Sequence, residues 1–397
     1  MRESILIRHV GPLHEVHIDE IKPITLLIGA SASGKSTLLK VLVCMRYVYK
    51  MLNIRAYLRY ADISKSPFRI RTEGLFSEDL KTALSSQSFI EYRVTIGERV
   101  YSIRYDGSVK KQKLSFSKDF DSTDLCFFKE SFIAETRNLI PQWQDKGSLI
   151  RGKALDFYFQ ETYDDFAAAT DLIKEQPLRY IGYTLNVQRV GKVKQLTITP
   201  VDDSHRPINL KHASSGLQTS ASLMTIVRYF AREFSFSEAF RRSVLSYIFD
   251  NSELLMKFLP TIEFGDMRKY VHIHIEEPEL SLYPEAQRRL LNEVVQEVIE
   301  PRAGDGRKLS VMIATHSPYI LNQLNVLLET GYAHPDNTPN PALSERDVAA
   351  YFLDNGRLTT LLATDDETGH TLVDTYHLSE TMEAISNDYF ALRGGGR

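Results

Sequence analysis

Residues 24–40, ITLLIGASASGKSTLLK, decide the fold. The run Ile24–Ile28 is apolar but for Thr25, as suits a strand covered on both faces. A glycine ends it, and residues 29–36 satisfy the pattern G-x-x-x-x-G-K-[ST]. From Lys35 to about Met51 the apolar residues recur at helical spacing. In a strand–loop–helix setting of this kind, successive backbone N–H groups of the glycine-bearing loop turn toward one anion. The helix N-terminus adds its positive end. Lys35 is then placed to reach the β- and γ-phosphates of a nucleotide, and the Ser36 hydroxyl to sit on Mg²⁺. The expected nucleotide-binding residues are Gly29, Ala30, Ser31, Ala32, Ser33, Gly34, Lys35, Ser36 and Thr37, with ATP and Mg²⁺ as ligands.

Further along, VHIHIEEPE (residues 271–279) reads as a buried strand that ends in paired carboxylates. After a phosphate loop, such a pair supplies what hydrolysis needs, a metal-bound phosphate and a positioned water. Glu276 is expected to hold Mg²⁺ directly or through water, and Glu277 to act as general base or to orient the attacking water. Between the two motifs lies Ser214-Ser215-Gly216-Leu217-Gln218, followed by a helix to about Arg232. By itself a serine there is a plain helix N-cap. The run VMIATHSP (311–318) puts His316 directly after another buried strand, with Pro318 opening a helix. A lone histidine in such a place is more often structural.

Taken together, these segments resemble the ABC ATPases. Phosphate loop, signature, acidic pair and switch histidine occur in the ABC order over residues 29–318. SSGLQ looks like a degenerate form of the Leu-Ser-Gly-Gly-Gln signature. The resemblance implies that Ser215 and the Gly216 N–H contact the γ-phosphate of ATP held by another subunit, and that His316 contacts the γ-phosphate as a third catalytic residue beside Lys35 and Glu277. EEPELSLYP (276–284) and SFIAETRN (131–138) are similar to segments of the overcoming-lysogenisation-defect-like and RecF/SMC-like branch, with Tyr283 where those proteins often carry His. The implied fold is α/β, a P-loop ABC-ATPase with an antiparallel β subdomain and helical insertions. The implied partners are a second copy, as a homodimer or higher homo-oligomer closed on an ATP sandwich, and a separate effector, nuclease or toxin, in anti-phage defence. A glutamine-bearing loop that touches Mg²⁺ in the family is not evident, and Glu135 and Arg137 are candidates for related work. Only 81 residues follow His316, and Asp365-Asp366-Glu367 reads as a turn, so no nuclease activity is expected.

The remaining sequence sets the organisation. A single ATPase domain is expected over 1–397, with an antiparallel β subdomain at 85–128, helical insertions at 151–180 and 236–268, and a hairpin-and-helix extension at 331–397. Arg393 to Arg397 read as a disordered tail. The 43% hydrophobic content is ample for a core, and the two cysteines, Cys44 and Cys126, read as buried reduced thiols. No apolar run approaches the roughly 20 residues of a membrane span, and the N-terminus lacks the apolar stretch of a signal peptide, so a cytoplasmic location is expected. The net charge of −3 does not favour nucleic acid. A RecF-like DNA-binding repair ATPase remains the alternative. Its candidate surface is Arg93, Arg99, Arg104, Lys110, Lys111 and Lys113, which also reads as a solvated sheet face. A transporter subunit is disfavoured by the degenerate signature and the Glu-Glu-Pro-Glu segment.

Overall fold

In the computed structural model, the loop of residues 29–34 joins β3 (Ile24–Ile28) to helix α1 (Lys35–Tyr60). The structure describes residues 1–63, 66, 70, 75–110, 113–143, 157–191, 193–202, 206–301, 304–333, 338 and 340–394. β3 is buried along its length and pairs in parallel with β13 (Lys308–Thr315) on one side and β14 (Val348–Asp354) on the other. Beyond β13 come β12 (Arg268–Glu276) and then β7 (Cys126–Ile133), both parallel as well. These five strands are buried along most of their length, as strands of a parallel sheet covered on both faces are.

The other half of the same eleven-stranded sheet is antiparallel except where β15 meets β2, a parallel contact. β15 (Arg357–Thr360) forms a hairpin with β14 through Asn355-Gly356 and leads to β2 (Leu13–Ile18) and β1 (Arg2–Val10). β4 (Phe89–Ile96), β5 (Arg99–Asp106) and β6 (Leu114–Phe116) then complete the edge. The meander therefore extends the main sheet through the β1–β4 pairing, whereas residues 126–133 lie at the opposite edge as β7. The expected 85–128 unit thus splits between two edges. The reason is visible in the pattern. β5 alternates between buried and exposed positions and suits a sheet with one solvated face, while Cys126 to Phe128 are buried on both faces. Residues 348–354, assigned from sequence to a C-terminal extension, are a core strand beside β3.

Helix α1 runs to Tyr60, past the expected end near Met51, because Leu52, Ala56 and Tyr57 continue its buried face. Asn53 within that face is satisfied by the Tyr49 carbonyl (2.9 Å) and the Cys126 N–H (2.8 Å). The first helical insertion is α2 (Phe157–Leu172), while residues 151–156 lie outside the described residues. The chain continues into a four-stranded antiparallel sheet of β8 (Glu175–Leu178), β9 (Tyr183–Val190), β10 (Val193–Pro200) and β11 (Ile208–Asn209). α3 (Ser215–Arg228) follows, and residues 236–257 form a broken helical segment. α4 (Pro284–Ile299) and α5 (Pro318–Ala333) link the parallel strands. A short hairpin, β16 (Leu362–Thr364) with β17 (Thr371–Val373), precedes α6 (Tyr376–Gly394). The expected tail begins inside α6, and its residues 395–397 lie outside the described residues. Both cysteines are buried and free, and burial raises their thiols, Cys126 to about 12. No helix among the described residues is long and apolar enough to cross a membrane.

Candidate nucleotide-binding site

Parallel pairing puts the C-terminal ends of the core strands level. Ile28 faces Thr315 and Phe352, Glu276 faces Ala314, and Ile275 faces Ile133. The residues that follow these strands therefore lie along one edge, where open α/β sheets bind their ligands. The phosphate loop, Glu277, His316 and the Glu135–Arg137 turn meet there.

Lys35 is the first residue of α1 and is buried. Its Nζ donates to the Gly29 and Ala30 carbonyls, both at 2.9 Å, so the loop closes around its own lysine. Burial lowers the Lys35 ammonium, opposed by Glu277 and Glu279. Gly34 at the helix start has φ +109°, a conformation that excludes an ordinary side chain. The Ser36 hydroxyl is hydrogen-bonded to the Glu276 carboxylate, which burial raises and that hydrogen bond lowers. A hydroxyl and a carboxylate side by side at the mouth of a phosphate loop are two hard oxygen donors. Such donors fit Mg²⁺, which takes few protein ligands and keeps the rest as water or phosphate oxygens.

Glu277 holds φ +42°, and Ala32 and Ser281 are also left-handed, at +62° and +61°. Strained residues of this kind persist where the surroundings over-determine them. At Glu277 those surroundings are explicit. Its N–H donates to the Ala314 carbonyl at 2.8 Å. The fully buried Arg137 donates from Nη1 to the Glu276 carbonyl (2.6 Å) and from Nη2 to the Glu277 carbonyl (2.5 Å). Burial pushes Arg137 down to about 10 against the pull of Glu279, Glu276 and Glu277, so it stays charged at neutral pH. The Glu277 carboxylate is half-buried and lies 3.9 Å from His316 Nε2. Glu279 fixes the histidine's backbone, accepting from the His316 N–H (2.7 Å) and from Thr315 Oγ1 (2.8 Å). Ser317 caps α5 through the Tyr319 and Ile320 N–H groups.

The signature segment reaches the site from another side. Ser214 occupies the N-cap of α3, yet its side chain makes no capping hydrogen bond. Ser214 and Ser215 are exposed, whereas Gln218 turns inward to the Leu210 and Lys211 carbonyls, both at 3.1 Å. A Cβ on Gly216 would come within 2.6 Å of the Ser281 carbonyl, so α3 begins hard against the loop that follows the acidic pair. Among the described residues, no hydrogen bond joins Ser215 to the phosphate loop of its own chain.

Sequence reasoning named the loop, the acidic pair and the histidine, and the structure brings them together. It gave no role to Glu279 and only a loose one to Arg137. Thr315 ends β13 and lies 36 residues from Glu279, so no local spacing hints at their contact, which arises only because β12 and β13 are neighbours. On the meander, Arg93 and Arg104 are both paired with Glu91 at 2.6 Å, and Arg99 with Asp121 and Asp124 at 2.7 Å. Lys111 lies outside the described residues.

Residues 273–322 match the family profile described as "AAA domain, putative AbiEii toxin, Type IV TA system". No curated protein matches the sequence. Among solved structures the chain is similar to an SMC head bound to the C-winged helix domain of ScpA, at 10% identity over 90% of this chain and 96% of that one, with a TM-score of 0.42. It is similar also to the SMC head with an extended coiled coil bound to the C-terminal domain of ScpA derived from Pyrococcus furiosus (11% identity, 97% and 98% covered, TM-score 0.38). A third likeness is to the recombination mediator protein RecF with ATP (10% identity, 91% and 98% covered, TM-score 0.37). At these identities and scores the likenesses are weak, and the geometry of the site stands without them.

Proposed function

We propose that this chain is an ABC-type ATPase whose nucleotide-gated dimer regulates a separate effector, a nuclease or toxin, in anti-phage defence. The observation that carries the catalytic part is the convergence at one sheet edge of Lys35, the Ser36–Glu276 pair, and Glu277 beside His316. The β- and γ-phosphates would take the place of the carbonyls that Lys35 now bonds. Ser36 and Glu276 would hold Mg²⁺, which when bound neutralises phosphate charge. Glu277 would accept a proton from, or orient, the attacking water, with Arg137 and Glu279 keeping the two catalytic backbones in place. The exposed Ser215 and Gly216 N–H would meet the γ-phosphate held by Lys35 of a second copy.

The family description that residues 273–322 match names a "putative AbiEii toxin, Type IV TA system", which supports a link to a toxin. The alternative, a DNA-repair ATPase, would need free cations on the meander; Arg93, Arg99 and Arg104 are held in ion pairs, which leaves Lys110 and Lys113 as its cations among the described residues and favours a solvated sheet face.

The test is mass in solution with and without ATP for the wild type and Glu277→Gln. The variant is expected to bind ATP without hydrolysing it and to gain mass with ATP, and Lys35→Ala to abolish that gain. Mass unchanged in every condition would sink the sandwich. Salt-sensitive binding of duplex DNA by the ATP-bound form would shift the reading to the repair ATPase.

A further inference from the structure

Helices α1 and α2, with β7 and residues 75–80, line a cleft of about 910 Å³, a volume that suits a small-molecule ligand. Its α1 wall is Val43, Tyr47 and Lys50, spaced four and three along one helix face. Tyr158 and Glu161 come from α2 and Phe132 from β7, with the Phe132 and Tyr158 rings 4.5 Å apart. The exposed rings of Tyr47 and Phe157 mark the open side.

Most charges that line the cleft are matched within the fold. Lys129 is paired with Asp165 at 3.0 Å, Asp79 with Lys40 at 2.6 Å and Glu78 with Lys81 at 2.6 Å, and Glu130 lies 3.0 Å from His274 Nε2. Lys50 and Glu161 have neither a hydrogen bond nor an ion pair among the described residues, and the Lys50 ammonium rests over the Phe127 ring, 4.8 Å from its centroid. Burial, with Lys129 beside it, pushes Lys50 down to about 8 against the pull of Glu130 and Glu161, so the carboxylates present do not supply its counter-charge. Burial raises the Glu161 carboxyl toward its neutral form. A ligand anion supplies the missing charge, and aromatic walls favour a flat, apolar body behind it. We propose that this cleft binds a small organic anion with an aromatic body, an aryl carboxylate or sulfonate, whose charge is received by Lys50.

The α2 wall is tied to the catalytic backbone. Thr162, next to Glu161, is fully buried. Its hydroxyl accepts from the Ala134 N–H at 3.1 Å and donates to the Phe132 or Tyr158 carbonyl, both at 2.8 Å. The Ala134 carbonyl accepts from Arg137 Nη1 at 3.1 Å, and Arg137 grips the carbonyls of Glu276 and Glu277. A ligand that moves α2 against β7 therefore changes turnover, a consequence that rests on the ATPase reading above.

The experiment is a calorimetric titration of the full chain with naphthoate, and with uncharged naphthamide as its control. Naphthoate is expected to bind with a dissociation constant on the order of 100 μM, and naphthamide about tenfold more weakly. Lys50→Met keeps the side-chain length and is expected to weaken naphthoate about tenfold while leaving naphthamide unchanged. Decanoate, the same charge on a flexible chain, is expected to bind more weakly than naphthoate. No binding of naphthoate, or equal affinity for naphthoate and naphthamide, overturns the site without recourse to a variant. A folded Lys50→Met chain that binds naphthoate as the wild type does overturns it too, and tighter binding of decanoate overturns the aromatic body. Saturating naphthoate is expected to change ATP turnover about fivefold, and Thr162→Val to abolish that change while naphthoate still binds. Turnover unmoved by bound naphthoate overturns the coupling. A failure of the ATPase reading would look different, as charge-selective naphthoate binding by a chain that turns over no ATP.

Discussion

Strand β12 carries two polar regions that differ in everything except the residue types involved. At its C-terminal end, Glu276 and Glu277 open onto the phosphate loop. Two and four residues earlier, His274 and His272 are buried on the face that Glu276 shares. They join a closed ionic cluster. Arg46 of α1 donates to Glu3 at 2.7 Å, and Tyr92 donates to the same oxygen at 2.5 Å. His274 Nε2 lies 3.0 Å from Glu130 and 3.4 Å from Arg46, and His272 Nδ1 lies 2.7 Å from Ser310 Oγ. At the strand end, charges keep open positions for a ligand and the backbone is strained. Inside, nearly every charge already has its counter-charge. Acid, base and histidine in one strand thus serve chemistry where the sheet ends and architecture where α1 covers it.

The largest effect that separates the two regions is on turnover. Glu277→Gln is expected to lower the ATP hydrolysis rate by about a thousandfold, the scale of a lost general base, with the melting temperature essentially unchanged. Phosphate release and a thermal melt on the same sample test this, and a large loss of stability would place Glu277 in the architecture instead.

The mirror-image change is Arg46→Ala. It strands Glu3 in the core and is expected to cost about 3–5 kcal/mol in urea unfolding, while ATP affinity of the folded fraction is kept. Selective loss of nucleotide binding would break the division between the regions.

Acid should find the cluster first. Burial and Arg46 hold His272 at about 4, below its ordinary 6.5. Burial acts to raise Glu3, but Arg46, His272 and the hydrogen bonds from Arg46 and Tyr92 hold it at about 2, below 4.5. Both folded-state values are depressed, so their stabilisation is full above pH 6.5 and is lost as pH falls, through His272 between 6.5 and 4 and through Glu3 between 4.5 and 2. A melting temperature that starts to drop below pH 6.5, with a total loss of stability on the order of a few kcal/mol near pH 4, is expected. His272→Gln should remove the upper part of that drop.

Arg137 stands between the regions, buried like the cluster but aimed at the site. Arg137→Lys keeps the charge and loses the two-pronged grip on the carbonyls of Glu276 and Glu277. A fall in kcat of about tenfold to a hundredfold with little change in KM marks a positioning residue. A change in KM alone would mean that the grip serves binding. The smallest effect is expected of Ser215→Ala, about fivefold on ATP-induced dimerisation, since the Gly216 N–H remains.

The sequence by itself determined the local chemistry. A phosphate loop is a run of consecutive residues, and GASASGKS after ITLLI needs no distant partner to be understood. The acidic pair and His316 were legible for the same reason, each following an apolar strand directly. The core strands were legible as runs, but their order was not, because pairing partners lie far apart in the chain. Only the tertiary structure put residues 348–354 beside β3, sent β7 and the meander to opposite edges, and brought Glu279 under His316. Arg137 and the His272–His274 cluster depended on it too. A buried arginine is defined by the carbonyls it reaches, 139 and 140 residues away, and a buried histidine by a counter-charge on another strand. Those contacts are set by the parallel pairing of β7 with β12, two strands far apart in the chain, which no local pattern encodes.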